Sequence, residues 1–380
     1  MQTFILRDLL KIKNGRDHKH LSDGGIPVYG SGGLMRYVNQ AIYNKESILL
    51  PRKGTLRNIQ YTDRPFWSVD TLYYTDINKD LCNPYFLYNY LINLDLSNLN
   101  SGTGVPSMTF ESYYNLQIKL PSLEIQNQVA GLIALLSNKI HLNNQINDNL
   151  EQMAKAIYDY WFVQFDFPNH VGTPYKSSGG EMVYNDVLKK EIPKGWEVKS
   201  LFDICDVQYG YPFSTSRFNE EQIGKPVIRI RDILENSIST YSSQDNIDEK
   251  YRLLEGDLLV GMDGNFHLNF WSKVDCYLNQ RVVRIRKKAG LLANFITLYQ
   301  IEPFIKLREQ SVSRTTVGHL SDKDLKSIKM LLPIKSLREK CNVFDDLLFK
   351  TVSNKKQNQE LAALRDWLWP MLMNGQVTVK

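Results

Sequence analysis

The sequence predicts an α+β protein built as a pseudo-two-fold internal repeat, with two strand-rich globular domains separated by two long antiparallel coiled-coil helices. Three observations carry this. Short motifs recur in one order across an offset close to 200 to 212 residues. Each copy opens on a stretch rich in glycine, aromatic and β-branched residues, the composition of strands and turns. Each copy then closes on a long glycine-poor stretch whose apolar residues alternate steps of four and three, the spacing of a helix that faces a partner. At 380 residues the chain is also too long for one ordinary core.

The recurring motifs run in register. Ile26-Pro27-Val28-Tyr29 matches Lys225-Pro226-Val227-Ile228, and Ser47-Ile48-Leu49-Leu50 with Gly54 matches Asp257-Leu258-Leu259-Val260 with Gly264. Further on, Leu116-Gln117-Ile118-Lys119-Leu120-Pro121 matches Ile328-Lys329-Met330-Leu331-Leu332-Pro333, and Leu135-Leu136 with Gln145 matches Leu347-Leu348 with Gln357. The first strand-rich domain is expected over residues 1–121, with short strands such as 47–50 and 72–74. Pro121 closes it, and a helical spacer is expected over 122–165. Its seam is Val129, Ile133, Leu136, Ile140, Leu150 and Ile157, with Asn143 and Asn147 in the middle. A helix over residues 122–164 would be about 65 Å long at about 1.5 Å per residue, too long to bury itself against one small domain.

Residues 166–190, with Pro168, Gly172, Pro174, Gly179 and Gly180, read as a turn or linker. The second strand-rich domain is expected over 191–333, with strands such as 257–260 and 281–285, and Pro333 closes it. A second helical spacer follows over 334–380, with Phe344, Leu348, Leu361, Leu364 and Leu368 on its seam and a polar run over 353–360. Lys355, Lys356 and Gln357 stand near the level of Asn143 and Asn147, where polar groups cost stability and pin register and orientation.

Composition narrows the function classes. Hydrophobic residues at 43% and charged residues at 23% exclude a disordered or collagen-like chain. No apolar run approaches the roughly 20 residues that span a bilayer, and Arg7 and Asp8 interrupt the short apolar start, so neither a signal peptide nor an anchor is expected. Cys82, Cys205, Cys276 and Cys341 lie far apart with no CxxC, which points to a reducing cytoplasm and to neither disulfides nor zinc. The net charge of +5 suits a nucleic-acid partner.

The common catalytic constellations are missing. There is no GxxxxGK[ST] phosphate cradle and no GxGxxG opening a helix after a strand. Asn83-Pro84-Tyr85-Phe86 approaches the NPP[YF] loop of adenine methyltransferases but lacks its second proline, and reads as a strand or helix start. Asp248-Glu249-Lys250 and Asp322-Lys323-Asp324 hold the acid-x-Lys element of many nucleases without a placed second acid, and read as solvated faces. His18 and His20 are i, i+2 neighbours in a Gly/Asp-rich loop and could touch phosphate or metal, but read first as a plain exposed loop.

What remains is a set of basic and polar clusters at corresponding places in the two domains. In the first, Ser31 and Gly32 sit in the Gly30-Ser31-Gly32-Gly33 loop, whose amides can approach a phosphate, and Arg52, Lys53 and Arg57 follow the 47–50 strand. Ser101 and Thr103 add a second polar loop. In the second, Arg217 precedes Arg229 and Arg231, whose alternation with Ile228 and Ile230 would place both on one strand face. Gln280, Arg281, Arg314, Thr315 and Thr316 supply donor types that position phosphates and read base edges. No catalytic and no metal-binding residue is assigned.

Two stretches carry a family resemblance. Trp161-Phe162-Val163-Gln164-Phe165-Asp166-Phe167-Pro168, then Pro174-Tyr175-Lys176-Ser177-Ser178-Gly179-Gly180-Glu181-Met182 and Ile192-Pro193-Lys194-Gly195-Trp196, resemble the central connection of type I restriction-modification specificity subunits. Leu364-Arg365-Asp366-Trp367-Leu368-Trp369-Pro370-Met371-Leu372-Met373-Asn374-Gly375-Gln376-Val377 resembles the end of that family's second helical region, and the duplicated layout covers essentially the whole chain. The resemblance implies a non-catalytic reader of double-stranded DNA whose two domains are target recognition domains, each taking half of a split sequence. It implies helices that set the spacing and dock two methyltransferase subunits, with restriction subunits in a larger complex. It also implies that this chain holds no cofactor while its partners use S-adenosylmethionine and ATP with Mg. Because such domains vary with the sequence they read, the DNA-facing residues named above rest on the matching clusters alone. Two other classes stay open: a stand-alone nucleic-acid-binding protein, and an enzyme with an unrecognised site.

Overall fold

Short apolar runs between glycines and polar residues become strands, and the glycine-poor stretches become helices. The computed structural model describes residues 1–53, 56–96, 107–311, 318–373, 375–377 and 379. Gly54, Ser101, Thr103, Arg314, Thr315 and Thr316 lie outside the described residues. The chain divides into one unit of Met1–Asn138 with Leu361–Lys380 and another of Lys139–Glu360, so each long helix is shared out between the two.

In the first unit β1 (Gln2–Ile5), the single turn α1 (Leu6–Leu9) and β2 (Leu10–Asn14) are followed by β3 (Asp23–Gly30), β4 (Gly33–Val38), β5 (Ser47–Pro51), β6 (Gln60–Thr62), β7 (Trp67–Ser68) and β8 (Leu72–Ile77). Then come α2 (Pro84–Ile92), α3 (Phe110–Tyr114), β9 (Gln117–Leu120) and the start of α4 (Leu123–Tyr158). An antiparallel sheet runs β2-β8-β5-β6, β3 lies between antiparallel β4 and parallel β7, and β1 pairs with β9. β5 is buried at every residue, which is why it reads as an unbroken apolar run, and its one hydroxyl, Ser47, is satisfied by the Thr75 carbonyl at 2.8 Å. The Asn83-Pro84-Tyr85-Phe86 motif is a helix start: the Asn83 side chain accepts the Phe86 N–H at 2.9 Å and Pro84 takes the first position of α2.

The second unit repeats this order. After β10 (Met182–Asn185) and β11 (Lys190–Pro193), the chain forms β12 (Glu197–Ser200), α5 (Leu201–Ile204), β13 (Cys205–Tyr209), β14 (Phe218–Asn219), β15 (Lys225–Ile228), β16 (Tyr241–Ser242), β17 (Leu258–Gly261), β18 (Leu268–Phe270), β19 (Tyr277–Leu278) and β20 (Val282–Lys287). Next are α6 (Asn294–Ser311), α7 (Asp322–Ser327), β21 (Lys329–Leu332), α8 (Lys335–Lys340) and α9 (Asn342–Met373). Its sheet runs β13-β20-β17-β18, β15 pairs parallel with β19, and β12 pairs with β21. The acid-x-Lys triplets cap turns, as solvated faces do: Ser321 and Asp324 form a capping box on α7, and Asp248 caps the turn Glu249–Tyr251.

The repetition extends to single hydrogen bonds. The Met108 N–H donates to the Arg52 carbonyl as Leu320 does to Met262, and the Arg52 N–H donates to Thr71 as Met262 does to Arg281. Gly15 and Gly210 hold equivalent tight spots, where an added Cβ would lie 2.0 Å from the Val69 carbonyl oxygen and 1.9 Å from that of Asn279.

Within the second unit α4 and α9 run antiparallel across a polar lock. The buried Asn143 amide donates to Gln357 and to Asn358, each at 2.8 Å, and the buried Asn147 accepts from Asn354 at 2.9 Å while donating to the Thr351 carbonyl at 3.3 Å. Gln357 thus meets the asparagines as the spacing predicts, whereas Lys355 and Lys356 turn to Glu151 and Glu255. Phe344 and Leu348 join this unit's core with Leu150 and Ile157 against it.

In the first unit Val129 and Ile133 join a core that also takes Trp369 and Leu372, with Leu368 against it, and Leu136 is buried as well. Ile140 and Leu361 are half-buried. Leu364 does not belong to the seam: it is 42% exposed, because the buried face of α9 here is centred on Trp369 and Leu372. Five residues before Trp369, it lies about 140° round the helix.

The predicted 166–190 linker is a folded element of the second unit. α4 ends in a π-turn, Asp159–Val163, after which Phe165 takes a left-handed φ of 63°. Phe162, Phe165 and Phe167 then pack around Trp196 at ring distances of 5.2 to 5.6 Å. Asp166 closes the following turn by accepting from the Ser177 N–H at 2.7 Å and its hydroxyl at 2.6 Å, which holds the carboxyl below its ordinary value.

Candidate nucleic-acid interface

In the first unit the Gly30-Ser31-Gly32-Gly33 loop is the turn between β3 and β4, and Gly33 has the positive φ, 116°, that the turn requires. Its carbonyls are tied inward: Gln60 donates to Gly30 at 2.9 Å and Asn58 to Ser31 at 2.7 Å. Ser31 and Gly32 line a hollow of about 650 Å³ together with Asp17, His18, Asp70 and Thr71. Arg52 reaches its rim, donating to the Asp70 carbonyl at 3.4 Å with its guanidinium 5.9 Å over the Tyr73 ring. Lys53 is exposed beside it, and its backbone bridges to Ser107. Arg57 is exposed but lines a different hollow, near Ile59 and Leu94. His20 packs edge-on against Trp67 at 5.7 Å.

In the second unit the strand reading of Arg229 and Arg231 needs correction. β15 ends at Ile228 and Ile230–Asp232 is a 3-10 turn, so the two arginines do not share a strand face. The turn forms because Asp232 caps it, accepting the Arg229 N–H at 2.9 Å. The two guanidinium groups are nonetheless neighbours: burial, and then the charge of Arg231, lower the proton affinity of Arg229. Arg229 lies 5.8 Å over the Phe218 ring and donates to Ser239 at 3.1 Å. Arg217, directly before Phe218, is exposed. Among the described residues neither Arg217, Arg229 nor Arg231 has a carboxylate within ion-pair distance, unlike Arg284 and Arg286, whose charges are taken up by Asp206 and Asp257.

Beneath these arginines lies a small aromatic core, with Phe213 and Tyr277 buried and Tyr211, Phe218 and Tyr251 against them. The Lys225 ammonium sits 4.6 Å from the Tyr277 ring centre and that of Lys250 5.0 Å from Tyr251. Sequence reasoning passed over both lysines. The adjacent Lys250-Tyr251 pair was a visible signal, but Lys225 meets Tyr277 only through the parallel pairing of β15 with β19. Gln280 is exposed, and Arg281 pairs with Asp263 at 3.2 Å. Cations held over aromatic rings are charges of the kind that can pair with phosphates.

Among the described residues no group of three or more His, Cys, Asp or Glu gathers as a metal site, and no helix is long and apolar enough to cross a membrane. All four cysteines are free and buried, and burial pushes the Cys205 and Cys276 thiols up to about 11 and those of Cys82 and Cys341 up to about 12, so none is a ready nucleophile.

Fold and sequence together define a duplicated α+β protein with a helix closing each copy. The family described as type I restriction modification DNA specificity domain matches residues 1–152 and 193–362, one match on each repeat, and the chain belongs to that family. It is 26% identical over 359 residues to the type I restriction enzyme MjaIX specificity subunit of Methanocaldococcus jannaschii, covering 89% of this chain and 79% of that one. It is 25% identical over 370 residues to the HindI specificity subunit of Haemophilus influenzae, covering 79% of each. Its fold resembles that of the S subunit of a type I restriction-modification system from M. genitalium, with a TM-score of 0.61 at 14% identity over 98% of this chain and 96% of that one.

Proposed function

We propose that this chain is the DNA-reading subunit of a type I restriction-modification complex and that each repeat reads one half of a bipartite target. The observation that carries this is the fall of the family's domain on both repeats. The chain itself performs no chemistry; two methyltransferase subunits using S-adenosylmethionine dock on the helical regions, and restriction subunits using ATP with Mg join in the larger assembly. Helices α4 and α9, with 36 and 32 residues, set the spacing between the half-sites. On that reading, one added turn of about 5.4 Å in both helices moves the accepted halves apart by about one or two base pairs.

The test is to co-express the chain with its modification subunit and map N6-methyladenine genome-wide, against a strain carrying the modification subunit alone. A two-part motif with a fixed gap, present only with this chain, is the expected result. An assembled complex that binds S-adenosylmethionine and marks no motif overturns the reading.

A further inference from the structure

The repeat places one backbone corner in each unit, and the side chains on the two corners differ. At the end of β5, Lys53 forms an isolated antiparallel bridge to Ser107, beside the Arg52–Thr71 and Arg52–Met108 backbone bonds. At the end of β17, Asp263 forms the same kind of bridge to His319, beside the matching Met262–Arg281 and Met262–Leu320 bonds. The corner is therefore held by backbone, and its side chains are free to vary. Lys53 in one copy stands where Asp263 stands in the other, and Thr71 where Arg281 stands.

In the second unit these side chains form one ordered group. Asp263 divides its carboxylate, one oxygen 2.6 Å from Nδ1 of His319 and the other 3.2 Å from Nε of Arg281. The carboxylate is the least exposed of the three at 28%, against 49% for His319 and 54% for Arg281, so it forms the floor and the two bases stand outward. Arg281 meets this carboxylate as an ion pair through Nε, and neither of its two terminal amino groups, coplanar in the guanidinium, has a hydrogen-bond partner among the described residues. Two coplanar donors match the O6 and N7 acceptors on the major-groove edge of guanine, and no other base presents that pair. Arg284 and Arg286, on β20 just after it, are spent on Asp206 and Asp257, so of the three arginines Arg281 alone, in the turn before the strand, keeps its terminal amino groups outward.

We infer that Asp263, His319 and Arg281 form a base-reading group in which Arg281 contacts a guanine in the half-site taken by the second repeat, while Asp263, buttressed by His319, is the positioning residue that aims it. This rests on the bipartite reading above. The experiment is the same methylome in the co-expressed complex carrying Arg281→Gln or Asp263→Asn, with complex assembly measured on each purified sample.

R281Q is expected to raise methylation of sites lacking guanine at one position of one half by about tenfold relative to the guanine sites, with the other half unchanged. D263N is expected to relax the same position, more weakly, because the arginine remains but is no longer aimed. A purely structural role lowers methylation at all sites alike and leaves the motif intact, which overturns the inference, as does relaxation of both halves together. If the unsubstituted complex marks no bipartite motif, the reading beneath the inference fails first and the inference falls with it; an intact motif in both variants overturns the inference alone.

Discussion

The Asn143 amide donates to the Gln357 side-chain oxygen at 2.8 Å across two helices, 214 residues apart in sequence. Its second bond goes to Asn358, and one turn on, Asn147 meets Asn354 and Thr351. Polar residues on a helical seam cost stability when they are unpaired, and these are paired by their own kind across the interface. Asn143→Ala removes two half-buried hydrogen bonds, whose acceptors on the exposed Gln357 and the half-buried Asn358 can turn to water, and is expected to lower stability by about 1 kcal/mol, read as a fall in the urea midpoint at unchanged slope. An unchanged midpoint counts against the lock.

Gly15 and Gly210 sit where any side chain would strike a backbone carbonyl at 2.0 and 1.9 Å, whereas Gly25 faces open space. Backbone cannot yield as a flexible side chain can. Gly15→Ala and Gly210→Ala are each expected to cost about 2–3 kcal/mol, and Gly25→Ala much less. Thermal melting of the three variants compares them directly; a shift at Gly15 or Gly210 no larger than that at Gly25 would refute the tight spot there.

Arg229 and Arg231 are adjacent cations without a carboxylate partner among the described residues. If they hold phosphates, alanine at either position flattens the plot of log affinity against log salt by about one unit, uniformly over DNA sequences. Fluorescence anisotropy of the complex on one duplex at several salt concentrations reads this slope. A changed sequence preference at constant slope would make them base readers instead.

Arg286 illustrates the opposite use of the same residue type. It clasps Asp257 with Nε at 2.6 Å, and that carboxylate also caps the Leu254 N–H at 2.7 Å. Arg286→Ala strands a buried charge and is expected to destabilise by about 3–5 kcal/mol. A loss under about 1 kcal/mol, in chemical unfolding, would mean that water reaches Asp257.

Asp166 accepts two bonds from Ser177, so its folded carboxyl titrates below the ordinary 3.8. A depressed carboxyl contributes stability that is fully present above the unfolded value and is lost as pH falls through the folded one. Asp166→Asn is therefore expected to be less stable than the parent at neutral pH, with the gap closing below the folded value. A gap that persists in strong acid would show that the charge plays no part.

How far such features are legible depends on their range along the chain. The two repeats, their strand-to-helix order and the buried β5 and β17 runs follow from local hydrophobic spacing, and the turn chemistry of Asn83-Pro84 follows from its own two residues. The asparagines facing Gln357 were likewise legible, because a four-three spacing fixes which residues share a helix face. The Leu364 assignment failed where that spacing was carried past the polar run on to a face that Trp369 and Leu372 define.

The sequence by itself determined the duplication, the α+β class and the membership of a DNA-specificity family, since each is written in periodicity or in contiguous motifs. Tertiary structure alone decided which arginines are spent inside and which remain for a partner. Arg281, Arg284 and Arg286 lie within six residues of one another, yet their partners Asp263, Asp206 and Asp257 come from distant segments. A charge's availability is set by what the fold places beside it, and no local pattern encodes a neighbour that arrives from elsewhere in the chain.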